Sequence, residues 1–268
     1  MSGTDKEMIL GLWQGVGVPG DVASNIDNIS RIARQAAAEG VKLLVFPECF
    51  LTGYFTLVDI AAIAAQVDDL VFDQLASIAD EYDIALVVGS YEASTQGTCN
   101  AAFVVHPGIG LVGTYRKRML YGDWEKRTFQ QGTKPLTFTW KGLTVGVLIC
   151  FDLEFPERAR ELANLGVDLI VTPTALMEPY ENVLSLLVPT RALENGIYVG
   201  YANRINREEE FEYVGGSCIV SPDGNDMARA ARAKQGLLTA KVSNMTRLQV
   251  TSKIDYLSEL ANEILSRE

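Results

Sequence analysis

One histidine, His106, occurs in 268 residues. That scarcity excludes a histidine-rich metal site and leaves a single imidazole for any triad that uses one. Positive charge is also in short supply, with 23 basic against 34 acidic residues and a formal net charge of -11. Such a surface repels a phosphate backbone or an anionic lipid layer, so neither nucleic acid nor membrane is an expected partner. No run reaches the ~18 apolar residues of a membrane helix, and the opening MSGTDKEMILGLWQ lacks a basic segment followed by a long apolar one. A soluble chain that stays in the cytoplasm is expected. Cys49, Cys99, Cys150 and Cys218 are scattered without CxxC spacing, which points to reduced thiols rather than a zinc site or a stapled scaffold. GxSxG and GxxxxGKS/T are both missing, and with them the signatures of serine hydrolases and P-loop proteins.

What is present is ordinary globular material, 48% hydrophobic and 21% charged, with no Pro/Ser linker or charge run to divide it. Short β-branched runs alternate with helical patterns. Strands are expected at 8–14, 42–48, 84–91, 143–149, 168–172, 197–202, 217–221 and 236–242, with a hairpin at 100–117 turning at Pro107 and Gly108. Helices are expected from Asp21, which can cap the free amides ahead of an apolar face of Ile26, Ile29, Ala33 and Ala36, and at 71–82, 156–165, 181–195 and 254–266. The pattern fits a single α/β domain over 1–268, two layers of sheet inside two layers of helix. The last helix carries Ile254, Leu257, Leu260, Ala261 and Ile264, a face suited to a subunit interface or to the core.

GVGVPG at 15–20 matches GxGxxG between a strand and a helix, so a dinucleotide-binding oxidoreductase is one reading. Against it, Pro19 lacks an amide, the third glycine precedes the helix, and Asp21 places a negative charge where phosphates would bind. A tight turn accounts for the glycines. His106 lies beside Pro107, where a turn histidine capping backbone groups is expected rather than a catalytic imidazole.

Four residues end separate predicted elements with chemistry to spare. Cys150 closes the buried strand LTVGVLIC ahead of a helix opened by Pro156; nearby amides and that helix terminus are expected to favour thiolate, with the Phe151 amide aimed at a developing oxyanion. Glu48 ends a strongly apolar strand, where a charge needs a partner or a task. Lys117 ends the second strand of the hairpin, and Glu125 follows eight residues later in a short polar loop that also holds Asp123.

These residues, Glu48 in FPECFLTGY, Lys117 in YRKRML and Cys150 in GVLICFDLEFPE, resemble the Glu-Lys-Cys pattern of the nitrilase, or carbon-nitrogen hydrolase, superfamily. PTALMEPY at 173–180, RALENGIYVGYAN at 191–203 and GGSCIVSPDG at 215–224 extend the likeness almost end to end. The resemblance implies a four-layer αββα sandwich that forms a homodimer or higher homo-oligomer and uses no cofactor or metal. It implies that Cys150 attacks the substrate carbon and Glu48 shuttles the proton. Lys117 and the Phe151 amide would steady the oxyanion, and Glu125 would orient Lys117 or the amide nitrogen. Tyr54 and Ala175 would line the pocket.

Phe151-Asp152 after the cysteine resembles amidase branches, where nitrilases proper carry Trp-Glu. Omega-amidase-like and carbamoyl-hydrolysing branches tend to place arginine where this chain has Glu154, so the sign is reversed here. LEFPERAREL and PTALMEPY look most like the 5-aminopentanamidase and R-stereoselective amidase group. The expected substrate is a small aliphatic amide, amine-bearing if Glu154, aided by the Glu208–Glu210 loop, meets a cation; an omega-amidase-like or N-carbamoyl amine hydrolase is the alternative. Glu154 as a plain helix-capping charge is an equal reading.

Overall fold

The computed structural model describes residues 6–54, 59–208 and 211–265. The first half of the chain builds one sheet from β1 (Glu7–Gln14), β2 (Val41–Val45), β3 (Ala85–Ser94), β4 (Gly97–His106) and β5 (Gly110–Arg116). β1, β2 and β3 are parallel, because α1 (Val22–Ala38), the short α2 (Ile60–Ala64) and α3 (Asp69–Tyr82) carry the chain back each time; β3, β4 and β5 form an antiparallel meander. As expected, Asp21 caps α1, its side chain accepting from the Ser24 amide.

After α4 (Gly122–Thr128), the second sheet repeats this logic with β6 (Leu136–Trp140), β7 (Leu143–Val147), β8 (Leu169–Thr174) and β9 (Tyr198–Asn203). β7, β8 and β9 are parallel, joined through α5 (Pro156–Asn164) and α6 (Val188–Asn195). A hairpin of β10 (Arg207–Glu208) and β11 (Phe211–Glu212) follows, then β12 (Cys218–Val220) and β13 (Asp226–Arg229) complete the sheet. β14 (Gly236–Ser243) returns to pair antiparallel with β1, and α7 (Asn244–Thr251) and α8 (Tyr256–Leu265) end the described chain.

Strand alternation sets the layers. In β2, Leu43 and Val45 join the core between the sheets, with Leu10, Leu12, Val147, Leu169 and Val171, while Leu44 faces α1 and α3. The sheets meet closely where β9 crosses β1: a Cβ on Gly200 would lie 3.0 Å from Leu10 Cδ2. The result is the four-layer αββα sandwich, and it brings the carboxyl ends of β2, β5, β7 and β8 to one rim, where open sheets place their ligands.

Several local expectations differ from the structure. The 181–195 helix is a π-helical turn, Val183–Leu187, running into α6, since Pro189 has no amide to continue an α pattern. Glu125 sits in α4, not in a loop. The segment expected as one helix over 254–266 is preceded by α7, and α8 starts at Tyr256; the side chain of Ile264 lies outside the described residues. His106 is buried at the end of β4 rather than capping a turn. Its ring packs 5.2 Å from Phe138 and 4.9 Å from Trp140, Nε2 has no hydrogen-bond partner among the described residues, and burial pushes its pKa below the ordinary imidazole range. It lies six residues along β4 from the strand's contribution to the site, Asn100.

Candidate active site

The turn after β2 is pressed flat against β3. Leu51 N donates to Gly89 O (3.0 Å), and a Cβ on Gly89 would sit 2.3 Å from Pro47 O, so only glycine lets the turn lie there. GVGVPG braces the other side: Gly20 N donates to Thr52 O (2.9 Å), Asn25 Nδ2 to Leu51 O (2.9 Å), and a Cβ on Gly17 would meet Phe50 O at 2.0 Å. With Val18 N committed to Asn25 Oδ1 (2.7 Å) and Asp21 on the α1 terminus, the dinucleotide reading of this motif is overturned; its glycines serve close packing. From below, the fully buried Arg204 donates to Glu48 O (3.0 Å) and Cys49 O (3.3 Å) and is itself bonded to the Glu208 carboxylate.

Glu48 is thereby aimed inward with no solvent contact. Its Oε1 accepts from Lys117 Nζ (2.7 Å) and Asn100 Nδ2 (2.7 Å), while Oε2 is buried with no hydrogen-bond partner among the described residues. Lys117 follows β5 directly and is fixed through its backbone, its amide donating to Asn100 O (2.8 Å) and its carbonyl accepting from Gly132 N (2.8 Å). Its ammonium is shared with Glu125 Oε1 (2.6 Å), which also accepts from Tyr54 OH (2.6 Å); Glu125 Oε2 takes the Tyr121 amide (2.5 Å). Asp123 faces solvent one residue before Trp124, so Glu125 is the carboxylate that α4 turns inward.

Cys150 follows β7 with φ 46°, a left-handed conformation costly for a side chain other than glycine, and opens a 3₁₀ turn over Cys150–Glu154. It lines a small cavity of about 100 Å³ with Tyr54, Tyr121, Phe151, Glu154, Ala175, Leu176, Met177 and Tyr180. Phe151, the next residue in that turn, lines the same cavity. The structure therefore brings Glu48, Lys117, Glu125, Cys150, Tyr54, Phe151, Glu154 and Ala175 to one place. Glu208 is not a free anion for a substrate, being bonded to Arg204 and to Tyr213 OH (2.8 Å); Glu209 and Glu210 lie outside the described residues.

The carbon-nitrogen hydrolase model matches residues 9–249. The chain belongs to that family. It is 38% identical to a Pseudomonas protegens protein called hydrolase in pqqF 5'region, over 84% of this chain and 79% of the relative. It is 32% identical to an (R)-stereoselective amidase of a Pseudomonas species, over 84% and 81%. Among solved structures, an amidase from Nesterenkonia sp. AN1 superposes with a TM-score of 0.84 at 32% identity, covering 96% of this chain and 99% of that one. In glutamate variants of that amidase, acrylamide or the acetamide moiety of fluoroacetamide is covalently added at the active-site cysteine.

In this carbon-nitrogen hydrolase the electrostatics correct the expectation of a resting thiolate. Burial raises the Cys150 thiol well above its ordinary value and Glu48 adds to the effect, against the opposing pull of Lys117 and the Ala175 amide. The helix expected after the cysteine begins only at Pro156, because Cys150 opens a 3₁₀ turn first. Burial likewise raises Glu48, with Lys117 pulling it down and Glu125 pushing it up. For Lys117, desolvation works against the charge, but Glu125 and Glu48 together outweigh it and the ammonium is held well above its usual range. The thiol is thereby held towards its neutral form, with the Glu48 carboxyl and the Lys117 ammonium acting on it in opposite directions.

Asn100 and Arg204 were missed by sequence reasoning, and Asp152 was read only as part of a likeness to amidase branches. The signal that singled out Glu48, a polar group beside an apolar run, also marks Asn100 before AAFVV and Arg204 after YVGYAN.

Proposed function

We propose that the protein is an amidase that hydrolyses a small aliphatic carboxamide to its acid and ammonia through a thioester on Cys150. The carrying observation is Glu48 Oε2, buried and without a hydrogen-bond partner among the described residues, on a carboxyl whose charge acts on the Cys150 thiol. Glu48 takes the thiol proton as sulfur adds to the carbonyl carbon, and Lys117 with the Phe151 amide stabilises the resulting oxyanion. The intermediate collapses as Glu48 protonates the nitrogen; the C–N bond breaks and ammonia leaves. Water then attacks the thioester, giving a proton to Glu48, which returns it to the departing sulfur. Glu125 and Tyr54 hold Lys117 in place between the two carboxylates. The amidases among the relatives support this reading. Ammonia release from a panel of amides tests it: wild type is expected to be active and Cys150→Ala, with an unchanged melting temperature, inactive. No release from any amide, or equal release by Cys150→Ala, defeats it.

The substrate side of the cavity favours an amine-bearing amide. Glu154 is half-buried against Tyr121 and Tyr180, and its side chain takes no hydrogen bond among the described residues, while its backbone carbonyl is held by Arg191 Nη2 (2.6 Å). A substrate ammonium there gains a charge-assisted partner, whereas a carboxylate-bearing amide or carbamoyl amino acid meets repulsion. Wild type is expected to prefer 5-aminopentanamide over a 2-oxo acid amide, and Glu154→Gln to lose about tenfold in kcat/KM for the amine alone, pentanamide serving as control. Preference for the 2-oxo acid amide overturns this assignment.

The chain is read as a cytoplasmic enzyme because its four cysteines are buried free thiols. Among the described residues no helix is long and apolar enough to cross a membrane. It is also read as a homo-oligomer: α7 buries none of its residues, and Leu248, Ile254, Tyr256 and Leu260 stay exposed around it. Light scattering is expected to give at least twice the 29.3 kDa chain mass; a monomer mass rejects the reading.

A further inference from the structure

Asp152 is completely buried, two residues after the nucleophile, in the 3₁₀ turn Cys150–Glu154. Its two oxygens each accept two hydrogen bonds. Oδ1 takes the backbone amides of Arg118 (3.1 Å) and Met119 (2.7 Å), the two residues after Lys117. Oδ2 takes Tyr115 OH (2.9 Å), two residues before Lys117, and the Ile149 amide (3.1 Å), the residue before Cys150. Every hydrogen bond between residues 115–121 and 149–155 among the described residues ends on this carboxylate. The lysine follows a strand of the first sheet and the nucleophile a strand of the second, so this carboxylate ties the lysine segment to the nucleophile segment, as Arg204 ties the second half to the Glu48 turn.

We propose that Asp152 is a positioning residue that sets the separation of Cys150 from Lys117, and through it the oxyanion contact of the reaction. The proposal rests on the amidase reading above. Only a carboxylate serves four donors at this point; an asparagine of the same shape turns its own NH₂ against one pair of them. The anion is costly here. Burial raises its pKa to about 6, although Lys117, the Ile149 and Met119 amides and Tyr115 OH all favour the charged form. Lys117 is the charged group acting on it directly and Tyr115 its titratable neighbour; Arg118 and Arg158 act on Tyr115 in turn. Proton uptake converts an acceptor into a donor and releases at least one amide, so the tie loosens as pH falls through its pKa.

Asp152→Asn is expected to lower kcat on the order of 10²-fold with little change in KM, the scale of a misplaced catalytic group. Alkylation of Cys150 by iodoacetamide, followed by intact mass, is expected to slow in parallel. Tyr115→Phe removes one donor to the anion and leaves Glu48 untouched, so the acid limb of kcat/KM is expected to move to higher pH. A group that merely seals the turn changes the melting temperature and moves neither readout. Asp152→Asn with kcat and alkylation rate both within twofold of wild type overturns the proposal. Where that variant does not fold, Tyr115→Phe with an unmoved acid limb and unchanged alkylation overturns it instead. Failure of the amidase reading is separate: wild type then releases no ammonia, while the alkylation ratio still reports on the tie.

Discussion

Lys117→Met is expected to abolish amide turnover and to destabilise the fold by about 3–5 kcal/mol at neutral pH, the cost of leaving a buried charge without its partner. Lys117 bonds Glu48 at 2.7 Å and Glu125 at 2.6 Å with all three side chains sealed from solvent. Methionine fills a similar volume and brings no charge, which leaves two carboxylates facing each other in a dry site. The Glu48 carboxyl, already raised by burial, then loses the cation that opposes that rise. A carboxyl whose folded pKa exceeds its unfolded one binds protons more tightly in the folded state. The penalty is therefore full above the folded pKa and fades as pH falls through it towards the unfolded value. Urea denaturation at pH 8 and pH 5.5 checks this, with the gap between variant and wild type expected to narrow at the lower pH.

The exposed pair Lys42–Asp83 supplies an internal contrast. Its N–O distance is 2.6 Å, as short as either contact of Lys117, but its side chains are 36% and 57% exposed. Lys42→Met is expected to cost less than about 1 kcal/mol, because solvent screens the pair and Asp83 keeps both its hydration and Lys141 at 3.5 Å. Equal losses from the two substitutions would mean that burial is not what makes the active-site lysine important to the fold.

The same contrast explains how much of the site could be read before any coordinates. Glu48 and Cys150 stood out because each ends an apolar strand, and parallel strands deliver their carboxyl ends to one rim. Lys117 ends a hairpin strand, but spacing alone did not say that β5 reaches that rim. The capped α1 was legible for a local reason, since Asp21 contacts an amide three residues away. The thiolate expectation failed because it counted nearby amides and ignored depth: desolvation of a sealed sulfur outweighs one amide and one ammonium. Asp152 was hidden for a different reason. Three of its four partners, Tyr115, Arg118 and Met119, lie more than thirty residues upstream in β5 or just after it, and no periodicity registers such a contact. GVGVPG shows the converse, a motif with a chemical reading whose glycines answer to the carbonyl of Phe50 and to a tight turn.

Glu48→Gln is expected to lower kcat/KM by about 10²–10⁴-fold, the usual worth of a positioned acid-base group, while preserving the fold. Glutamine keeps the Oε1 that accepts from Lys117 and Asn100, and its NH₂ takes the place of Oε2, which has no hydrogen-bond partner among the described residues to lose. Lys117 retains Glu125, so no buried charge is stranded and the melting temperature is expected to stay near that of wild type. The pH profile separates loss of a base from loss of shape. Without Glu48 the thiol has no acceptor, and turnover depends on the fraction of sulfur ionised by solvent. Removing Glu48 takes away one influence that raises the thiol, but desolvation, the largest, remains, so that fraction stays small and grows with pH. Residual activity is thus expected to climb about tenfold for each pH unit up to pH 9, where wild type has reached its plateau. A glutamine variant within tenfold of wild type, with the wild-type profile, would place the base on another residue.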